Sequence, residues 1–233
     1  MKNKPTNETT WTIFDNANTV AQEAAKRILS AASEAISERG VFRLVLAGGH
    51  TPESAYRLLV GADTDWSHWE IYFGDERCLP VSDPDRNSIM AENTFLHSVS
   101  IPAANIYPIN SEKGAELAAK EYEDVVKAAM PFDVVLLGIG EDGHTGSLFP
   151  GQKHPADQLV CPVHNSPKPP SDRVTLGVRA LSNALEVLVL ATGEGKQDAV
   201  KAWKEGKPVP IAEIGNPAPV HVLMDKEAAG KIA

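Results

Sequence analysis

Cysteine is scarce in this chain: 2 among 233 residues, Cys78 and Cys161, with no metal-ligand spacing around either. That excludes a disulfide-stapled scaffold and leaves two reduced thiols as the simple expectation. Positive charge is in deficit too, with 22 Lys and Arg against 31 Asp and Glu and a formal net charge of −9. Nucleic acid and anionic membrane surfaces both need clustered cations, so neither is expected as a partner. A small anionic ligand stays open, because a local cationic pocket can sit inside an acidic protein. No apolar run approaches the ~20 residues of a membrane helix. The opening "MKNKPTNETTW" is polar and lacks the apolar core of a signal peptide. A cytoplasmic location is therefore expected. True repeats and low-complexity tracts are also missing.

What is present is ordinary globular composition, 42% hydrophobic and 23% charged. The length suits one large or two small domains, and one α/β domain over 1–233 is expected. In "NTVAQEAAKRILSAASEAISERG", Val20, Ala24, Ile28, Ala31 and Ala35 recur at helical spacing, and Gly40 stands where a helix stop belongs. "FRLVLAGGHTPESAYRLLV" reads as a strand, a glycine turn and a helix opened by Thr51-Pro52-Glu53, with Thr51 able to cap. Further strands are expected in "WEIYFGDERCLP" ending at Gly74, "FDVVLLGIGEDGH" ending at Gly138, "LEVLVLATGEGK" ending near Thr192, and "PVHVLMD" ending at Asp225. Helical segments such as "GAELAAKEYEDVVKAAM" alternate with them. The alternation predicts an α/β fold, a mostly parallel Rossmann-like open sheet with helices on both faces. The stretch "VHNSPKPPSDR" (163–173) reads as a proline-rich loop ordered only by what it covers.

Ligands of such a sheet bind beyond the carboxyl ends of its strands. The clusters "GGHT", "GDER", "GEDGH" and "TGEGK" fall at those ends. Gly138, Gly140 and Gly143 spell G-x-G-x-x-G, the dinucleotide fingerprint, but that loop needs a helix starting at its last glycine to receive a pyrophosphate. Here "HTGSLFPG" follows, with Gly146, Pro150 and Gly151 as breakers, and Glu141 and Asp142 would sit where the pyrophosphate charge must go. The glycines instead fit a turn presenting Asp142 and His144, an imidazole being suited to proton transfer near neutral pH and a carboxylate able to fix its tautomer. A metal site finds no support in the spacing of histidines and carboxylates.

The other clusters add weight. Backbone N–H groups of Gly49, His50 and Thr51 at a helix start form an anion cradle. Within Asp75-Glu76-Arg77, the arginine could stabilise an oxyanion or bind an acidic group. Lys168 and Arg173 flank the proline-rich loop, and Lys196 follows "TGEG". Each cluster has a plainer reading when taken alone: a solvated loop histidine, a simple tight turn, a surface ion pair. Several cations near one sheet edge suggest phosphate.

Assembled in order, "LAGGHTPESAYRLL", "WEIYFGDERCLPVSDPDRNSIMAENTFL", "FDVVLLGIGEDGHTGSLFPG" and "PKPPSDRVTLGVRALSNA" running into "LVLATGEGKQDAV" resemble the 6-phosphogluconolactonase family. The resemblance covers nearly the whole chain. It implies the three-layer architecture shared with glucosamine-6-phosphate deaminases and ribose-5-phosphate isomerases. Deaminases typically carry Asp-Glu-Tyr where this chain has Asp75-Glu76-Arg77, and "AFNEP" where it has "GSLFP", so the lactonase branch is favoured. One departure is His50, where the family more often has serine. The resemblance implies 6-phospho-D-glucono-1,5-lactone as substrate and 6-phosphogluconate as product; a monomer or weak homodimer is expected, and no metal or other cofactor, because an activated ester requires only a base, a positioned water and oxyanion stabilisation. It implies His144, Asp142, Arg77 and Asp75 as the catalytic set. Gly48, Gly49, His50, Thr51, Lys168, Arg173 and Lys196 would hold the substrate. A sugar-phosphate-sensing regulator of the same architecture would carry an N-terminal helix-turn-helix, for which the early start of the sheet leaves no room.

Overall fold

A computed structural model describes residues 9–153 and 155–230. The first eight residues, on which part of the signal-peptide reading rests, lie outside the described residues. The chain opens with strand β1 (Thr10–Phe14), helix α1 (Ala17–Arg39), strand β2 (Phe42–Leu46) and helix α2 (His50–Arg57). Strands β3 (Trp69–Phe73) and β4 (Asp75–Arg77), helix α3 (Asn87–Thr94), the short strand β5 (Ile106–Tyr107) and helix α4 (Ala115–Ala129) follow. The second half runs β6 (Phe132–Gly138), β7 (Val160–Val163), β8 (Arg173–Leu176), the single turn α5 (Val178–Leu181) and β9 (Ala184–Ala191). It closes with α6 (Gln197–Lys204), β10 (Val220–Asp225) and α7 (Lys226–Ala229).

Seven strands form one parallel sheet in the order β1-β10-β9-β6-β2-β3-β5. The inner strands are apolar almost throughout, as strands covered on both faces must be: Phe132, Val134, Val135 and Leu136 of β6 are wholly buried. With its helices the sheet makes a three-layer α/β architecture, as the alternation of elements predicts. Helix α1 illustrates the local logic. Asn16 and Thr19 exchange side-chain-to-backbone hydrogen bonds in a capping box, and Gly40 ends the helix at φ 72° with its N–H donating to Ile36 O. Val20, Ala24, Ile28 and Ala35 are buried as expected, while of Ala31 and Ala32 it is Ala32 that is fully buried.

Beyond the sequence reading lies a second, antiparallel sheet of order β4-β8-β7. Asp75-Glu76-Arg77 is therefore not the tail of β3 but a strand in its own right, pairing Asp75 with Thr175 and Arg77 with Arg173. The connection between β7 and β8 is the proline-rich segment, which is held by its own bonds rather than only by what it covers. Ser166 N donates to Ser171 O and Lys168 N to Ser166 Oγ. Arg173 donates from Nε to Pro170 O and from Nη2 to Pro169 O, and His164 bridges Asp172 and Glu116.

Progression through the main sheet reverses between β2 and β6, since β3 and β5 extend on one side and β9 and β10 on the other. A crevice at the carboxyl ends of β2 and β6 follows, the usual ligand position in such sheets. The end of β2 is pinned by Tyr56, whose buried hydroxyl accepts from Ala47 N at 2.8 Å and donates to Ala47 O at 2.9 Å. Tyr56→Phe would orphan both backbone groups, so a loss of about 1–3 kcal/mol in unfolding free energy is expected, measurable by urea titration. Among the described residues no helix is long and apolar enough to cross a membrane.

Candidate active site

The loop after β6 is built to hold one imidazole. Gly143 adopts φ 83° and donates to Gly140 O, while Gly140 N donates to His144 O at 2.8 Å. Thr145 Oγ1 returns to Gly138 O at 2.9 Å. Within this turn Asp142 Oδ1 accepts from His144 N at 3.2 Å and from His144 Nδ1 at 2.5 Å. An imidazole donating from Nδ1 keeps its lone pair on Nε2. The ring lies against the backbone of Gly140, where an added Cβ would stand 1.9 Å from Nδ1. No helix follows the loop, so the G-x-G-x-x-G spacing serves the histidine and not a dinucleotide. Burial pushes the His144 pKa below that of a free imidazole, and the Asp142 carboxylate, which favours the cation, opposes this without reversing it.

The turn after β2 presents a helix start. Gly49 sits at φ 103° before α2, whose first-turn N–H groups have no acceptor inside the helix. Thr51 is not a cap, contrary to expectation. Its Oγ1 lies 2.6 Å from Thr192 Oγ1 and ties α2 to the segment after β9. The side chain of His50 is fully exposed, 3.5 Å from Glu53, and the residue lines the cleft.

Between these loops lies a cleft of about 270 Å³. Gly48, Gly49, His50, Thr51 and His144 line it, together with Asp75, Arg77, Lys168, Arg173 and Lys196. Of the sequence-derived site residues only Asp142 is not among the lining groups; its carboxylate contacts His144 Nδ1 instead. The small sheet explains how the cations converge. Side chains alternate along a strand, so Asp75 and Arg77 of β4 share the cleft face, while Glu76 is fully buried and accepts from the backbone of Arg77, Asn87 and Ser88. The triplet is thus no surface ion pair. Strand pairing then sets Arg77 beside Arg173. Arg77 Nη1 donates to Asp85 O, while its buried Nε has no hydrogen-bond partner among the described residues. Burial lowers the pKa of both Arg173 and Lys196, with Asp75 and Glu141 respectively favouring the charged forms. Arg173 also lies 5.7 Å from the centre of the Phe149 ring, and its bonds to the proline-rich loop place Lys168 on the cleft.

Asn87, at the first turn of α3, also lines the cleft. No pattern in the sequence marks it as a site residue. It stands inside the segment "DPDRNSIM", but no local spacing connects position 87 with position 48, against which it packs.

A switch-point crevice, a carboxylate-held imidazole and cations beside a helix start together define an α/β protein whose site has the chemistry to suit a small anion and a proton transfer next to it. The chain belongs to the glucosamine-6-phosphate isomerase/6-phosphogluconolactonase family, whose model matches residues 15–225. It is 35% identical to the 6-phosphogluconolactonase of Mycobacterium leprae over 94% of this chain and 97% of that protein. It is 32% identical to the chloroplastic 6-phosphogluconolactonase 3 of Arabidopsis thaliana, over 94% of this chain and 74% of that one. Among solved structures, the 6-phosphogluconolactonase of Trypanosoma brucei superposes with a TM-score of 0.88 at 27% identity, covering 97% of this chain and 99% of that one. The Thermotoga maritima 6-phosphogluconolactonase gives 0.84 at 27% identity, covering 94% of this chain and 99% of that one.

Proposed function

We propose that this chain hydrolyses 6-phospho-D-glucono-1,5-lactone to 6-phospho-D-gluconate, with His144 as general base. The observation that carries the reading is the His144–Asp142 pair, 2.5 Å apart, opening onto a cleft that also holds a helix start and basic side chains. The substrate phosphate rests against the backbone of Gly48, Gly49, His50 and Thr51, with Lys168, Arg173 and Lys196 supplying positive charge. Nε2 of His144 takes a proton from water as the water oxygen bonds to the lactone carbonyl carbon. Arg77 stabilises the oxyanion that develops, or organises the carboxylate product. Collapse of that intermediate breaks the ring C–O bond, and the imidazolium returns its proton to the leaving ring oxygen, which becomes a hydroxyl. An activated ester needs a base, a positioned water and oxyanion stabilisation, so the reading calls for neither metal nor organic cofactor.

The deciding experiment measures acid release from the lactone by purified protein, subtracting the uncatalysed rate, beside ammonia release from glucosamine 6-phosphate. Lactone turnover without ammonia supports the reading; ammonia without lactone turnover overturns it.

The pH dependence follows from the site. Only the neutral imidazole accepts a proton, and burial lowers its pKa. kcat/KM is expected to rise with pH to a plateau by neutrality, with a midpoint below the ~6.5 of a free histidine. Asp142→Asn removes the carboxylate that favours the cation, so the midpoint should move lower still. A midpoint that moves upward in this variant would remove His144 from the role.

A further inference from the structure

We infer that Asn87 and Ser147 are positioning residues, which act through the Asp75 carboxylate to hold the phosphate-binding turn and the histidine loop at a set separation. The inference rests on the functional reading above and deepens it. Asn87 Nδ2 donates to Asp75 Oδ1 at 3.0 Å and to Asp75 O at 2.9 Å. From the other side Ser147 Oγ donates to Asp75 Oδ2 at 2.7 Å. All three side chains are buried, with relative exposures of 6% for Asp75, 5% for Asn87 and 0% for Ser147. The chain of bonds ends on cleft-forming groups at both extremes. A Cβ at Gly48 would lie 2.1 Å from Asn87 Oδ1, so the amide is in direct contact with the turn that cradles phosphate. Ser147 follows His144 on the loop whose other anchor is the Thr145–Gly138 bond, and Gly146 between them packs on Asp75 and Thr175.

A buried carboxylate is costly unless its oxygens are bonded, and apolar residues would fill the same space more cheaply. Its placement between two functional loops is what a spacer requires. Both oxygens being engaged, Asp75 is assigned an electrostatic and structural part rather than proton transfer. Its charge favours the cationic forms of His144 and Arg173, which face it.

The test compares wild type, Ser147→Ala, Asn87→Ala and the double variant. It reads kcat and KM for the lactone, inhibition by inorganic phosphate, and the imidazole resonances of labelled His144. Ser147→Ala is expected to lower kcat about tenfold through a displaced histidine and to leave phosphate inhibition unchanged. Asn87→Ala should lower kcat and weaken phosphate together, because it touches both loops. Since both act through one carboxylate, the double variant should lose no more kcat than Asn87→Ala alone. Losses that multiply independently, or variants that merely melt earlier with kcat and phosphate inhibition intact, overturn the inference.

If Asn87→Ala does not fold, Asn87→Asp sets two carboxyl groups face to face. Its kcat relative to wild type should then rise as pH falls, because one carboxyl takes up a proton and donates it to the other. A flat ratio counts against the inference. The charged and titratable groups around that pair are Glu76 and Arg77 on β4, Tyr56 on α2, Arg86 before α3, Arg173 on β8, and His144. Should the wild-type protein not hydrolyse the lactone, the functional reading fails separately. The strut is then read from phosphate affinity and the His144 resonances, which Asn87→Ala must change together.

Discussion

Replacing His144 with alanine is expected to lower kcat for lactone hydrolysis by ~10²–10⁴, the usual worth of a positioned general base, while the protein stays folded and still binds phosphate. No neighbouring side chain is placed to substitute. Asp75 has Oδ1 committed to Asn87 and Oδ2 to Ser147, and Asp142 is not among the residues that line the cleft. The turn proposed to hold phosphate belongs to a different loop, closed by its own helix start and by the Thr51–Thr192 contact, so affinity for inorganic phosphate should survive. The imidazole caps no helix, and its removal leaves the Gly140–His144 backbone bond in place. The measurement is kcat with the spontaneous rate subtracted, together with phosphate inhibition. Turnover near the wild-type value would assign the proton transfer elsewhere.

Gly140→Ala should come close to that loss without touching a reacting atom. The new methyl would stand 1.9 Å from His144 Nδ1, 2.1 Å from Cε1 and 2.7 Å from Cγ. Ordinary contact requires a separation well over an ångström greater, so the ring must move away and its short bond to Asp142 must break. A displacement of about 1 Å in a catalytic group can cost about 10²-fold in rate, and that is the expected fall in kcat. The backbone of Gly140 is not in the left-handed region, so alanine brings no conformational strain and the melting temperature should change little. An active Gly140→Ala enzyme would mean that the ring works from another position.

The parts of this protein legible in the sequence are those encoded by near neighbours. The apolar run of β6, the period of α1 with its stop at Gly40, and the proline in the first turn of α2 each follow from contacts a few residues apart. The histidine loop belongs with them. Asp142 and His144 are two residues apart, and the glycines that turn the chain stand between and around them. Thr51 differs from expectation because the helix starts one residue earlier, with Gly49 as its N-cap, so the threonine stands inside the first turn and its hydroxyl meets Thr192 instead.

The small sheet could not be read in this way. Three polar residues at 75–77 carry no strand signal, and their partners stand at 173–175, far along the chain. That pairing sets Arg77 beside Arg173, buries Asp75 and Glu76, and suspends Lys168 from a loop ordered by Arg173. Asn87 was silent for the same reason, its meaning lying in contacts with Gly48 and Asp75. The sequence by itself determined the inner strands of the main sheet, helix α1, the turn and the paired imidazole, because hydrogen bonds and side-chain periodicity between neighbours are local. Only the tertiary structure decided which carboxylates are buried, which cations converge and which bonds link the turn after β2 to the histidine loop, because these depend on contacts between distant segments, of which periodicity carries no record.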